Sequence, residues 1–162
     1  MNNKINLSTT ELAERVAIIK RFKELLISQR ERFKQYLAVL DKQKDIIESG
    51  TAEDIISHVE LEEKIVGDIF TIQKSLVPMQ SMYKTVLKTE SPESADIPLL
   101  SETLEKLKKT AALRSIRNKD LLEKRMVIIR NEMKSLRTGP LAKTRRSVYA
   151  AGEQPVLIDI KG

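Results

Sequence analysis

Cysteine is absent from this sequence of 162 residues, which excludes a disulfide framework and any metal site built on thiolates. A chain without cysteine suits the reducing cytoplasm, where we expect this protein. Aromatic residues make up only 4%, and there are only 5 glycines and 5 prolines. Turns and sheets draw on these residues, so their scarcity favours long amphipathic helices.

A long hydrophobic run is also missing. The longest stretch without a charged residue is 75–83, well short of the roughly 20 residues that a membrane-spanning helix needs. The first residues, Met1 to Asn6, lack the apolar centre of a secretory signal peptide. We therefore expect a soluble protein that is neither inserted in a membrane nor secreted by the general route.

Charged residues, by contrast, are abundant at 32% and unevenly distributed. Residues 1–50 carry 10 basic and 7 acidic side chains, residues 51–100 carry 4 and 9, and residues 101–162 carry 15 and 7, for a net charge of +6. Neighbouring helices with net charges of opposite sign attract each other, which favours their packing. A basic final third would also suit an anionic partner such as nucleic acid, and the sequence leaves both interpretations open.

The first predicted helix has a clear start and a clear end. Ser8 and Glu11 have the spacing of a capping box. Gly50 suits the left-handed conformation that ends a helix, and Thr51 suits the cap of the next helix, which predicts a tight helical hairpin.

An apolar residue recurs every seven positions of this helix and must face another helix: Leu12, Ile19, Leu26, Phe33, Leu40 and Ile47. The companion row, starting at Val16, is only partly apolar and favours a small bundle.

The second predicted helix carries a broad apolar stripe that ends at Pro78, which should kink or interrupt it. A loop rich in breakers and acidic residues, 89–98, leads to a third helix that runs from about residue 99 or 101 to Leu136. Gly139 and Pro140 end that helix. The predicted fold is all-α: an antiparallel bundle of three long helices over residues 1–138, with a flexible or partner-binding tail over 139–162.

Catalytic chemistry has little support in the sequence. His58 is the only histidine, and its place in a helix predicts a packed or exposed side chain rather than a base or ligand. No paired histidines or carboxylate cluster offers a metal site, and the scattered glycines form no phosphate-binding loop. We expect a protein that is not an enzyme and that uses no cofactor, metal or small-molecule substrate.

The strongest chemical signal is apolar surface that the helices leave without a partner. Methionines on the second and third helices would adapt to different partners, although they would equally fill gaps in a core. The predicted partner-binding residues lie on the last part of the third helix and on the tail: Leu122, Met126, Ile129, Met133, Leu136, Tyr149, Val156, Leu157, Ile158 and Ile160.

This helical plan resembles the FlgN family of flagellar type III export chaperones. The similar segments are the long first helix, the hairpin near residue 50, LEEKIVGDIFTIQKSL in the second helix, IRNKDLLEKRMVIIRNEMKSL in the third and VYAAGEQP in the tail. The residues that carry the likeness best are Glu63, Lys64, Asn118, Leu121, Leu122, Tyr149 and Gly152.

The resemblance implies a cytoplasmic chaperone for protein export in the biogenesis of the bacterial flagellum. It would bind the C-terminal helical segments of the hook-filament junction proteins FlgK and FlgL, prevent their premature assembly and deliver them to the type III secretion apparatus, a further partner. Substrate would bind the apolar positions of the third helix and the tail. Such chaperones tend to be acidic, whereas this chain carries +6.

Two other functions stay open. The seven-residue row of the first helix would suit a self-assembling coiled-coil scaffold, and the basic final third would suit a helical nucleic-acid-binding protein. The latter has less support, because no aromatic residue lies among the basic positions of the third helix to stack a base. The tail would pack across the bundle, fold when substrate binds, or cover the empty substrate groove.

Overall fold

The structure, a computed structural model, describes residues 8–89 and 91–138. They form three long α-helices: α1 (Thr9–Ser49), α2 (Ala52–Thr85) and α3 (Ile97–Thr138). A short 3-10 helix, Pro92–Ser94, lies between α2 and α3. No strand occurs within these ranges, so the all-α class is confirmed.

Both predicted helix starts are confirmed, and each is a complete capping box. The Glu11 N–H donates to Ser8 Oγ at 3.2 Å, and the Ser8 N–H donates to Glu11 Oε2 at 3.0 Å. At the second start the Asp54 N–H donates to Thr51 Oγ1 at 3.1 Å, and the Thr51 N–H donates to Asp54 Oδ2 at 3.0 Å. In each box the carboxylate, of Glu11 or of Asp54, has a lowered pKa. The main cause is the hydrogen bond that it accepts from the backbone N–H of the cap residue. Four N–H groups that the helices would leave unpaired are thereby satisfied.

The hairpin between α1 and α2 turns at Gly50 without the predicted left-handed conformation. Gly50 has φ −83° and ψ 171°, which is extended backbone, so that prediction is wrong. Its N–H donates to Ile46 O at 2.7 Å. A Cβ atom at Gly50 would lie only 2.6 Å from that carbonyl oxygen. The turn therefore requires glycine because the chain passes so close to the end of α1.

Pro78 lies inside α2, which continues to Thr85, so the predicted interruption is wrong, while the kink stays a prediction. An interior proline costs a helix about 3 kcal/mol. Packing on both sides of Pro78 offsets that cost. Leu76 is buried before it, and Met79 and Tyr83 pack on the same apolar cluster after it. Each large apolar side chain that leaves water contributes about 1.5–3 kcal/mol.

The chain divides into two compact units, residues 1–121 and residues 122–162. The predicted boundary at residue 138 stays a prediction, because the proposed tail lies outside the described residues. In the first unit α1 and α2 are antiparallel, since Arg32 pairs with Asp68 and Tyr36, further along α1, pairs with Glu62. The α3 part of this unit runs parallel to α1. Lys23–Asp96 and Asp41–Arg114 both join residues 73 positions apart.

The core of the first unit follows the row that the sequence predicted in α1. Ile19, Leu26, Leu40 and Ile47 are buried, whereas Leu12 is exposed. The companion row from Val16, which the sequence predicts to be only partly apolar, is partly buried throughout. The second buried row comprises Phe22, Gln29 and Gln43, which keep the same spacing of seven. The apolar cluster around α1 comprises Ile19, Phe22, Leu25, Leu26, Leu76, Val86, Ile97, Leu100 and Leu104.

Two glycines provide a matched test of this account of the turn. We expect Gly50→Ala to lower the free energy of unfolding by about 1–3 kcal/mol, because the new Cβ meets a carbonyl oxygen that belongs to the backbone. Gly67, in the middle of α2, has no atom within 4 Å of the position of a Cβ. Gly67→Ala should therefore raise the free energy of unfolding by about 0.4–1 kcal/mol. Urea unfolding of both variants measures these changes, and equal effects of the two substitutions would contradict the account.

Candidate partner-binding surface

His58 is buried, and its ring contacts the backbone of the neighbouring helix. Its Nε2 lies 2.8 Å from the Val39 carbonyl oxygen. Of the two environments that the sequence predicts for this helical histidine, packed or exposed, the structure has the packed one. A ring nitrogen held by a carbonyl donates its proton to that oxygen and so joins α2 to α1.

A polar layer crosses the first unit at the level of residues 36–43. Gln43 Nε2 donates to Glu62 Oε2 at 2.6 Å, and the Tyr36 hydroxyl donates to Glu62 Oε1 at 3.1 Å. From α3, Asn118 Nδ2 donates to Gln43 Oε1 at 2.9 Å and to the Leu40 carbonyl oxygen at 2.7 Å. The Gln43 amide of α1, the Asn118 amide of α3 and the Glu62 carboxylate of α2 thus connect all three helices.

The acceptor side of Asn118 is satisfied as well. Arg117 donates to Asn118 Oδ1 through Nε at 3.1 Å and Nη2 at 3.0 Å. Asp41 lies beside this arginine and accepts from Arg114 Nη1 at 2.7 Å. The side chains of the layer form hydrogen bonds with one another. The arrangement therefore favours a role in fixing which residues of the helices meet, rather than in chemistry on a ligand.

The described residues form neither a candidate metal site nor a candidate membrane-spanning helix. Within 8–89 and 91–138, no group of three or more histidine or acidic side chains lies close enough to hold a metal ion. No helix in the same ranges is both long and apolar enough to cross a bilayer.

Basic side chains of α3 in the first unit are largely paired with acidic ones. Lys106 lies 2.8 Å from Glu102, and Lys108 lies 3.2 Å from Glu105. Arg114 and Arg117 both reach Asp41 on α1, at 2.7 Å and 3.7 Å. These pairs neutralise much of the positive charge from which the sequence suggested a nucleic-acid surface.

Five of the predicted partner-binding residues lie on the described helix of the second unit, residues 122–138. Their spacing of three and four places Leu122, Met126, Ile129, Met133 and Leu136 along one side of the helix. Met126, Met133 and Leu136 are 46%, 58% and 67% exposed, whereas Leu122 and Ile129 are partly buried. The other five predicted residues, Tyr149, Val156, Leu157, Ile158 and Ile160, lie outside the described residues.

The sequence prediction missed two exposed apolar residues of this helix. Val127 and Ile128 are also about half exposed and lie off the predicted side. A helix that is apolar on more than one side is normally covered by other structure. The same segment carries five basic and two acidic residues, a net charge of +3. Its surface therefore suits a partner that is both apolar and acidic.

The residues that carried the family resemblance have different environments. Asn118 is buried in the polar layer, and Leu121 and Leu122 are partly buried. Glu63 and Lys64 are exposed on α2. Tyr149 and Gly152 fall outside the described ranges. The structure therefore gives Asn118 a structural role, which the sequence alone did not indicate.

Part of this chain is similar to a protein of Treponema pallidum (strain Nichols) that is described as an uncharacterized protein. The two are 51% identical over 75 residues, which is 46% of this chain and 49% of the relative. The chain thus spans about half the length of the relative that it matches. No protein-family model and no solved structure matches the chain.

Removing the amide of Asn118 should destabilise the bundle. Asn118→Ala takes a donor from Gln43 Oε1 and from the Leu40 carbonyl oxygen. We expect a loss of about 1–3 kcal/mol in the free energy of unfolding, measured with urea, because buried acceptors are left unpaired. Lys119→Ala, at the exposed neighbouring position, is the control and should change stability by less than about 0.5 kcal/mol. Equal effects at the two positions would refute the role of the polar layer.

Tyr36 should titrate above the ordinary range of tyrosine. Burial raises the pKa of its phenol, the nearby Glu62 carboxylate raises it further, and a hydrogen bond with Ser115 opposes them. The neutral phenol is thus favoured in the folded state. Stability from this group is complete below about pH 10, the unfolded value, and it falls as the pH rises through the folded pKa. The phenolate absorbance of wild type minus that of Tyr36→Phe isolates this titration, and a midpoint at or below about 10 would contradict the prediction.

Proposed function

We propose that this protein is a flagellar export chaperone that binds amphipathic helical segments of hook-filament junction proteins, of the FlgK and FlgL kind, before their export. The single observation that carries the proposal is the exposed apolar side of residues 122–138. Amphipathic helices bind such surfaces through side chains at positions i, i+3, i+4 and i+7. The spacing of Leu122, Met126, Ile129 and Met133 provides the matching positions.

The residues of this surface suit a chaperone that binds several related protein segments. Met126 and Met133 are exposed and have flexible thioether side chains, which adapt to partners of different shape. The net charge of +3 on residues 122–138 would attract acidic segments and reject basic ones. A chaperone for two related junction proteins needs this combination of adaptable apolar contacts with a preference in charge.

We further propose that the protein works in the cytoplasm, that it is not an enzyme and that the export apparatus is its second partner. The hydrogen bonds of Tyr36, Gln43, Glu62 and Asn118 to one another support a structural role for the main polar cluster. The proposed C-terminal tail, 139–162, lies outside the described residues, and we propose that its apolar residues also contact the bound segment.

The two rival functions have less support than the chaperone. A scaffold that assembles through the seven-residue row of α1 would need that row exposed, whereas Ile19, Leu26, Leu40 and Ile47 are buried in the first unit. A nucleic-acid binder would need unpaired basic side chains, whereas Lys106, Lys108 and Arg114 lie beside acidic ones.

Titration calorimetry with peptides from the C-terminal segments of the junction proteins tests the proposal. We expect saturable binding to the wild type and a loss of about 100-fold or more in the double variant Met126→Asp, Met133→Asp, because two exposed anchors acquire charge. Circular dichroism should show the same helicity in both, since neither methionine is buried.

Leu113→Asp is the matched control for this experiment. Leu113 is 70% exposed, belongs to the first unit and is not one of the predicted partner-binding residues. Its substitution should leave peptide affinity within about twofold of the wild type. Absence of saturable binding with both peptides, or wild-type affinity in the double methionine variant, would refute the proposed function.

A further inference from the structure

The outer face of α2 carries apolar residues that no other described element covers. Phe70 is 64% exposed, Ile56 61% and Val77 55%, and they lie on one row of the helix, with Glu63 at the position between Ile56 and Phe70. Val59 and Val66 lie on the same side and are partly buried. These five residues, the α2 outer face, have the pattern of a seam that packs on another helix. Their side of α2 is opposite to that of the buried His58, Ile65 and Leu76.

Gly67 lies midway along this face, at the edge on the side of Ile56. A glycine inside a helix is less stable than alanine there. No atom lies within 4 Å of the position of a Cβ at Gly67, so nothing in the described chain requires a glycine. A helix surface without a side chain is the place where a second helix, or a large side chain from it, can approach closely. The open space beside Phe70 and Val66 would thus admit a large side chain from another molecule.

The charges of α2 are separated along its length. Residues 52–68 carry six acidic side chains and one basic one, whereas residues 69–85 carry two basic side chains and no acidic one. Two copies of such a helix attract each other when they are antiparallel, because the acidic half of one then lies along the basic half of the other. A parallel arrangement would place like charges together.

One antiparallel alignment accounts for the charges and for the glycine, and it places Ile56 opposite Ser81, Val66 opposite Thr71 and Val77 opposite Glu60. When Phe70 lies opposite Gly67 of a second copy, the same alignment places Glu63 opposite Lys74 and Glu53 opposite Lys84. It also places Val59 opposite the apolar ring of Pro78. Each of these pairs occurs twice, because the arrangement has a two-fold axis between residues 68 and 69.

We propose that the α2 outer face is the interface of a two-fold symmetric homodimer, in which the α2 helices of two copies pack antiparallel with Phe70 over the partner's Gly67. The second copy is favoured over an unrelated partner because α2 itself supplies both halves of the charge complementarity. Glu63 and Lys74 form no ion pair with another described residue, so both are available to the second copy. The proposal does not depend on the chaperone function, since its residues lie in the first unit.

The size of this interface predicts a reversible dimer. From Ile56 to Ser81 the helix is about 39 Å long and about 10 Å wide, which corresponds to roughly 400 Å² of surface a copy. A standard specific interface uses about 800 Å² a copy. The dimer should therefore dissociate at low concentration and form in the range of tens of micromolar. Glu63 and Lys74 are exposed in the single chain, and high salt should weaken the ion pairs between them and so the dimer.

Sedimentation velocity of the full chain between about 1 µM and about 200 µM tests the proposal. We expect a shift from monomer to dimer in the wild type. Phe70→Glu should remain monomeric over the whole range, because the central apolar contact is lost twice in each dimer. Ile116→Glu makes the same type of change at a residue of α3 that is 67% exposed, and it should dimerise as the wild type does.

A charge exchange then tests the alignment itself. Glu63→Lys and Lys74→Glu should each weaken the dimer by roughly tenfold, because each substitution creates two like-charged pairs. The double variant, with both exchanged, should recover wild-type dimerisation. No partner other than a second copy in this alignment predicts that recovery.

Gly67→Gln separates the interface from the fold. The substitution should raise the midpoint of thermal unfolding of the monomer, because glutamine is the better helix former and has open space. It should also abolish dimerisation, since its side chain occupies the place of the partner's Phe70. A wild type that stays monomeric, a dimer that persists in Phe70→Glu, or a double exchange that fails to recover dimerisation would each overturn the proposal.

Discussion

Helix α1 is the element on which the first unit depends, because both of the other helices pack on it. Its two buried rows, spaced by seven residues, contain Ile19 and Leu40 in one and Phe22 and Gln29 in the other. A helix with two such rows has an apolar side wide enough for two neighbours. The antiparallel pairing with α2 and the parallel pairing with α3 both follow from this side. A substitution in either row therefore weakens contacts to more than one helix.

The two ends of this unit are stabilised by different interactions. Near Phe22 the contacts are apolar, and its ring stacks on that of Tyr83 with centroids 4.8 Å apart. Near Gln43 the contacts are hydrogen bonds from Asn118 and to Glu62. Apolar packing supplies free energy but tolerates shifts along the helix axis, whereas directional bonds do not. The polar layer thus selects one alignment of helices whose apolar rows, repeated every seven residues, would permit several.

The helices themselves could be predicted from the sequence because their signals are local. Each capping box lies within four consecutive residues, and the row from Ile19 to Ile47 is a simple repeat. The failures have physical causes that are not local. A periodic search for apolar residues passed over Gln29 and Gln43, since their burial depends on partners on α2 and α3. Gly50 was assigned the usual conformation of a helix end, whereas its actual constraint is the distance to one carbonyl oxygen.

The two apolar surfaces that we propose as binding sites are built from different types of residue. The α2 outer face contains β-branched and aromatic residues, such as Val66 and Phe70, whose few rotamers define one geometry. The helix over residues 122–138 exposes Met126 and Met133, whose side chains adopt many. Stiff residues with a charge pattern that complements itself would select a single partner, whereas flexible residues on a segment with a net charge of +3 would accept a class of acidic partners. The two proposed kinds of recognition, of a second copy and of other segments, would use different residues in different units, so that each could be altered without the other.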